Sequence, residues 1–326
     1  MKSILKTAFV LVVATSFVTA PRPGFAQANQ NYPSKPIRLV TTSAGSQSDM
    51  LTRMIGAKMS ESWGQPVIVE NRTGAGGAIA ASVVAKAAPD GYTLLNQSAQ
   101  FAIGAALHAS LPYDPIRDFA GITRIGFSTT ALVVAPSLGV KSVKDFIALA
   151  MGKPGQIFFS SAGAGSGMHM NGERFRLFAG IKGMHVGFKG ASEALVEVMA
   201  GRIHYSVPGL GPALPLIKDG KLVALAVIAP ERSPLLPDVP AMVEALPGYE
   251  TDGSFGLLAP ARTPSPVLNQ ISKEVRRILD LPDVKARLGA TGFTVAPTTP
   301  EEHGRILHAD IETFAKVVKS AGLRVQ

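Results

Sequence analysis

Pro36-Ile37-Arg38-Leu39-Val40-Thr41-Thr42 runs straight into Ser43-Ala44-Gly45-Ser46-Gln47-Ser48-Asp49 and then into Leu51, Ile55, Met59 and Trp63. The first segment is apolar and β-branched, and reads as a short strand. The second is a loop of small and polar residues. In the third the apolar positions step by four, with Met54 widening the face, which predicts an amphipathic helix. Ser48 or Asp49 is a natural N-cap for it, and Gly64 a natural stop. Pro66 to Glu70 is the next strand. Asn71-Arg72-Thr73-Gly74-Ala75-Gly76-Gly77 then turns into a helix from Ile79 to Ala87, and after an Asp90-Gly91 turn Tyr92 to Leu95 is a third strand. Such alternation marks a parallel α/β sheet, whose ligands sit beyond the carboxyl ends of the strands.

The pattern restarts further along. Ala131 to Ala135 reads as strand, Val143 to Met151 as helix and Ile157 to Ser160 as strand. A second Gly/Ser loop, Ser161-Ala162-Gly163-Ala164-Gly165-Ser166-Gly167, opens a helix through Met168, Phe175 and Phe178. Two helices, Pro266 to Leu279 and Pro300 to Ala321, close the chain. Building the unit twice predicts two α/β lobes facing each other. No low-complexity linker divides them, so the expected hinge is crossing strands.

Of 326 residues, 46% are hydrophobic and 17% charged, which fills a core and excludes a disordered or collagen-like chain. With no Cys there is no disulfide scaffold, thiolate metal site or Cys nucleophile. Lys2 and Lys6 precede an apolar run from Ala8 to Ala20, too short for a membrane span of about 20 residues. Pro21, Pro23 and Gly24 follow, then Ala26-Gln27-Ala28. We read residues 1–28 as a secretory signal peptide cut after Ala26 or Ala28. Its removal takes Lys2, Lys6 and Arg22 from a formal charge of +9, leaving 9 − 3 = +6. No later segment is apolar enough to span a bilayer. The remaining basic residues are scattered without aromatic interleaving, which argues against nucleic acid.

Catalytic signatures fail one by one. There is no G-x-x-x-x-G-K-[ST]. Ile79 and Met168 stand where the dinucleotide fingerprint needs its third glycine, and Ala164 breaks the esterase elbow around Ser166. His303 and His308 fall on different helix faces, and His169 with Glu173 offers two metal ligands where zinc needs more. No enzyme, metal or cofactor is expected. The two Gly/Ser loops each join a strand to a helix, and so present backbone N–H groups at a helix N-terminus, which suits carboxylate or phosphate. Neither carries Lys or Arg. Read singly, each is equally a tight turn of an α/β fold. Together, on opposed lobes, they favour a ligand cleft.

Over essentially the whole of residues 29–326 the chain resembles the substrate-binding proteins of tripartite tricarboxylate transporters, the Bug-type periplasmic receptors. The matching stretches include Tyr32-Pro33-Ser34-Lys35-Pro36-Ile37-Arg38, Val69-Glu70-Asn71-Arg72-Thr73-Gly74-Ala75-Gly76-Gly77 and Pro89-Asp90-Gly91-Tyr92-Thr93-Leu94-Leu95. Leu111-Pro112-Tyr113-Asp114-Pro115, the second Gly/Ser loop with His169, Leu236-Pro237-Asp238-Val239-Pro240 and Leu257-Leu258-Ala259-Pro260 continue it. The resemblance implies an α/β, two-lobed type II periplasmic binding fold with a central cleft. Residues 29–128 and 252–326 would form lobe 1, and 129–251 lobe 2. It also implies a monomer that captures a small organic carboxylate in the periplasm and hands it to membrane permease subunits. Ligand-binding candidates carried over are Ser43, Ala44, Gly45, Ser46, Gln47 and Asp49 on one side, and Ser161, Ala162, Gly163, Ser166 and His169 on the other. Ser98 is a further candidate, and Lys189 and Gly190 come from the segment His185 to Gly190. Asp49 is equally a helix cap, and His169 equally a support beneath its loop. The first loop is one residue shorter than the family's pattern and lacks its Pro-aromatic pair. His204 replaces an Asp and Ser254 a Trp, changes expected to touch or border the cleft. Rival readings are an exported hydrolase, which lacks a nucleophile elbow, and a ligand-loaded sensor partner of a membrane signalling protein.

Overall fold

The computed structural model describes residues 32–42, 44–108, 110–249 and 254–323. The expected signal peptide, the ligand candidate Ser43 and the expected lobe boundary at 251–252 lie outside the described residues. β1 (Ile37–Thr41) leads into α1 (Gln47–Trp63), β2 (Val67–Asn71), α2 (Ala78–Ala85), β3 (Thr93–Gln97) and α3 (Ala99–Leu107). β4 (Phe119–Ser128) and β5 (Thr130–Val134) follow, with Thr129 alone between them. Next come α4 (Val143–Met151), β6 (Ile157–Ser161), α5 (Gly167–Phe178), β7 (Gly183–Gly187), α6 (Ala191–Met199), β8 (Tyr205–Ser206), α7 (Leu210–Lys218), β9 (Val223–Ile228) and α8 (Met242–Ala245). The chain closes with β10 (Ser254–Pro260), α9 (Ser265–Leu279), α10 (Pro282–Gly289), β11 (Phe293–Val295) and α11 (Pro300–Ala321).

The strands form two sheets, ordered β11-β4-β10-β3-β1-β2 and β7-β6-β8-β5-β9. The alternation predicts parallel pairing, and both sheets contain it together with antiparallel strands. β1 runs parallel to β2 and β3, and β6 parallel to β7 and β8, as strand-helix-strand units require. β10 is antiparallel to β3 and β4, and β5 to β8 and β9. The antiparallel members are the strands that carry the chain across. β4 runs on into β5 of the other sheet, and β10 re-enters the first sheet after the second is complete.

The five-stranded sheet is covered on both faces, and β5 shows why. Its side chains alternate across the sheet. Leu132 and Val134 join Phe146, Phe159, Phe175 and Tyr205 in one core, while Ala131 and Val133 join Leu195, Val198 and Leu210 in another. The six-stranded sheet packs Val40, Leu95 and Leu258 against Phe101 of α3 and Leu307, Ile311 and Phe314 of α11. Met170 of α5 belongs to this last cluster, so the helix behind the second Gly/Ser loop is buried against α3 and α11. The terminal helices start and stop as expected, with one addition. Thr299 and Glu302 cap α11 reciprocally, with Pro300 in its first turn. Between the two expected helices the structure adds α10 and the short β11.

Candidate ligand-binding site

The first loop is a closed turn built by Gly45, Ser46 and Asp49 with Arg53 and Asn71. Gly45 has φ 74°, a left-handed conformation that glycine adopts without penalty. Ser46 is extended and is the N-cap, its Oγ accepting from the Asp49 N–H at 3.2 Å. The cap expected at Ser48 or Asp49 therefore moves to Ser46, the residue whose hydroxyl reaches the third amide onward. Asp49 turns back instead. Its carboxylate accepts from the Gly45 N–H at 2.9 Å, Arg53 Nε at 3.1 Å and Asn71 Nδ2 at 2.8 Å, and the residue is 5% exposed. Burial pushes its pKa up, but the hydrogen bonds from Arg53, Asn71 and Gly45 outweigh burial and hold it at about 2. Asp49 is a permanent anion inside the turn.

The second loop repeats the device, with residue numbers higher by 120. Gly165 has φ 75°, Ser166 Oγ accepts from the His169 N–H at 3.2 Å, and the Gly165 N–H donates to His169 Nδ1 at 3.0 Å. An imidazole takes the place of the carboxylate. Accepting at Nδ1 requires a neutral ring with its proton on Nε2. His169 is 2% exposed, and its pKa is lowered to about 4 by burial first, then by His185 and Arg176. The His185 ring stacks on it at 3.7 Å between centroids, and His185 Nε2 lies 2.6 Å from Ser161 Oγ. Ser161 is fully buried, and its Oγ accepts from the Gly163 N–H at 3.1 Å. Ser161 and His169 thus lie under the loop and shape it.

Burial also lowers His185, His204 and His303, the last to about 3. A histidine kept neutral in this way stabilises the fold in full above its ordinary value of 6.5, and loses that contribution as pH falls toward its folded value. Urea midpoints are therefore expected to fall from pH 6.5 to pH 4, at up to about 1.4 kcal/mol per pH unit for each of the buried pair His169 and His303. A flat midpoint across that window would show these rings already charged in the folded protein.

A cavity of about 270 Å³ opens in front of the first loop. Gly45, Ser46 and Gln47 line one side and Gly209 to Pro212, at the start of α7, the other. Met50, Ser128, Thr129 and Thr291 complete it. Ser128 Oγ donates to Gln47 Oε1 at 2.6 Å, tying the α1 N-terminus to the end of β4. The sequence reading set the second Gly/Ser loop opposite the first. The structure sets the α7 N-terminus there, and none of the residues lining the cavity belongs to the second loop. That loop instead lies against the end of α3, where an added Cβ on Gly165 would stand 3.3 Å from Leu107 Cδ1. The residues missed were signalled by Pro208-Gly209-Leu210-Gly211-Pro212, a breaker cluster ahead of an apolar run.

The other candidates are placed as follows. Ala44 is exposed, and Ala162, Gly163 and Ser166 are partly buried. Ser98 is the N-cap of α3, and its side chain makes no capping bond. Lys189 is exposed and its N–H donates to Glu193 Oε2, while Gly190 is the extended N-cap of α6. Of the departures from the family pattern, the shortened first loop lines the cavity, while His204 and Ser254 do not. His204 Nδ1 accepts from the Phe158 N–H at 3.1 Å, and Ser254 Oγ donates to Asp310 Oδ2 at 3.1 Å. At the carboxyl ends of β1 and β3, Thr41 Oγ1 and Gln97 Nε2 are buried with no hydrogen-bond partner among the described residues.

The sequence profile of the tripartite tricarboxylate transporter family receptor matches residues 51–323. The chain belongs to that family. BugT of Bordetella pertussis is 30% identical to this receptor over 320 residues, 97% of each chain. Among solved structures, R. palustris Rpa4515 with adipate is 32% identical with a TM-score of 0.74, over 90% of this chain and 99% of that one. MatC (Rpa3494) from Rhodopseudomonas palustris with bound malate is 30% identical with a TM-score of 0.69, over 88% and 100% of the two chains. This receptor has the two-lobed type II periplasmic binding fold, with its two α/β sheets joined through β4 and β5.

Proposed function

We propose that this chain is a periplasmic solute-binding receptor, exported by the segment 1–28, that captures a small carboxylate and delivers it to the permease subunits of a tripartite tricarboxylate-type transporter. One observation carries the reading. The N-termini of α1 and α7 converge on one cavity, whose lining mixes Gly45, Gly209, Gly211 and the hydroxyls of Ser46, Ser128, Thr129 and Thr291 with Met50, Leu210 and Pro212, so the positive ends of two helix dipoles face it. Gly45, Ser46 and Gln47 with Gly209 and Gly211 contact the acid, and Ser128 positions Gln47. Asp49, Ser161 and His169 act by shaping their loops. Ala44, Ala162, Gly163, Ser166, Ser98, Lys189 and Gly190 complete the candidate wall as the cleft closes. The lobes are 29–128 with 252–326, and 129–251, closing about the β4–β5 crossing. Binding without catalysis, by a monomer, is part of the same reading.

The energetics are sufficient. Micromolar affinity needs about 8 kcal/mol, and each hydrogen bond to a charged group contributes roughly 1.5–3 kcal/mol. The adipate and malate held by two relatives are small dicarboxylates, a scale that suits a cavity of about 270 Å³. A melting-temperature screen of mono-, di- and tricarboxylates tests the reading. At a hundredfold excess over Kd the matching acid adds about 2.7 kcal/mol, a rise of about 4 °C for a chain of this size. Shifts with sugars or amines, and none with acids, would overturn it. Native mass spectrometry of the purified protein identifies any acid that travels with it.

A further inference from the structure

β4 shows its two faces to two different cavities. Adjacent side chains of a strand point to opposite faces. Ser128 reaches Gln47 in the cleft, and Phe127 lines a second cavity of about 370 Å³. Of the residues around this second space only Thr129 is shared with the first. Its walls come from both sheets. Arg124 and Phe127 of β4 and Phe293 of β11 form one side, and Pro230 and Leu235, on the segment after β9, the other. Its volume lies within the range of small-molecule sites, which are apolar with few polar anchors.

The anchor is Arg124. It is half-buried, its Nε donates to the Ala296 carbonyl at 2.9 Å, and its guanidinium lies 5.9 Å from the centre of the Phe127 ring. Among the described residues no carboxylate forms an ion pair with it. Asp310 and Glu302 act on it only at a distance, and Asp310 is bonded to Ser254. The other cation at this cavity, Arg232, is already held on two arms by Glu244. Taking a charge part-way out of water without a partner is costly, and a carboxylate presented side-on to a guanidinium removes that cost. Glu231 at the exposed rim disfavours a second negative charge on the same ligand.

We propose that this cavity is a second, hinge-side binding site for a compact monocarboxylate with an apolar body, its carboxylate on Arg124 and its body between Phe127, Phe293 and Leu235. The site is separate from the carboxylate cleft and does not depend on that assignment. Its test is ligand-observed fluorine NMR of 4-fluorobenzoate with the full chain. Arg124→Gln removes the anchor. Thr294→Trp, an exposed change on the wall, fills the space if the first variant fails to fold. Thr291→Trp, also exposed, fills the cleft instead. Wild type and Thr291→Trp are expected to bind alike, with Thr294→Trp and any folded Arg124→Gln weakened about tenfold or more. The proposal fails if wild type does not bind at millimolar probe, if Thr294→Trp or folded Arg124→Gln binds like wild type, or if Thr291→Trp abolishes binding.

Discussion

Gly126→Ala is expected to be strongly destabilising, with urea midpoint and melting temperature well below wild type. Gly126 sits in β4 with φ 155°, where a side chain is strained on any backbone. The strand is irregular there. Phe255 pairs with Gly126 and Gly256 with Arg124, so Ile125 is an extra residue, a bulge in β4. A methyl on Gly126 would overlap the Thr294 carbonyl oxygen and stand 2.6 Å from the Phe293 ring. Neither can retreat easily, because Thr294 is paired with Phe127, and the Ala296 N–H is bonded to the Ile125 carbonyl at 3.1 Å. Strain of this kind, together with a lost β4–β11 ladder, costs about 3 kcal/mol or more, against a total stability of about 5–15 kcal/mol. Urea denaturation and size-exclusion chromatography report it. A melting temperature within two or so degrees of wild type would mean that β11 yields freely, and the account of this bulge would be wrong.

Asp49→Ala carries the second large effect. It leaves the Gly45 amide, the Asn71 amide and the Arg53 guanidinium without their common acceptor in a nearly buried position. The expected loss is about 3 kcal/mol at pH 7, with ligand affinity falling as the turn loosens. Asp49→Asn, which keeps one acceptor oxygen, is expected to lose about half as much. The pH dependence follows from the depressed carboxyl. Its stabilisation is complete above the ordinary value of 3.8 and disappears as pH falls through about 2. Unfolding curves of wild type and Asp49→Ala should therefore converge between pH 4 and pH 2. Curves that stay parallel across that window would place the carboxylate in water.

Legibility in the sequence followed the range of the forces involved. α4 was readable to the residue, because Ser142 caps it and Val143, Phe146 and Ala150 face one core. α11 was equally plain from Pro300 and its apolar stripe. β4 was not, since Gly121, Arg124 and Gly126 interrupt its alternation and a bulge breaks its register. α10 carries two buried positions, Val284 and Leu288, too few to show a period. At the site, the Gly/Ser composition located both turns, but the returning bonds of Asp49 and His169 are backbone geometry that residue types leave open. The choice of α7 to face α1 is set at long range. α5 is buried against α3 and α11, which holds the second turn by Leu107 and leaves Gly209 to Pro212 across the cavity.

The paired turns separate holding a shape from choosing a guest. In each, glycine, serine and the acceptor four places beyond the glycine fix the backbone, so the position directly after the serine bears none of that burden. It is Gln47 in one turn, reaching Ser128, and Gly167 in the other, where an added Cβ would meet nothing within 4 Å. The side chain at either place can thus be exchanged while glycine, serine and acceptor keep the turn in shape, at the expense, for Gln47, only of its tie to Ser128.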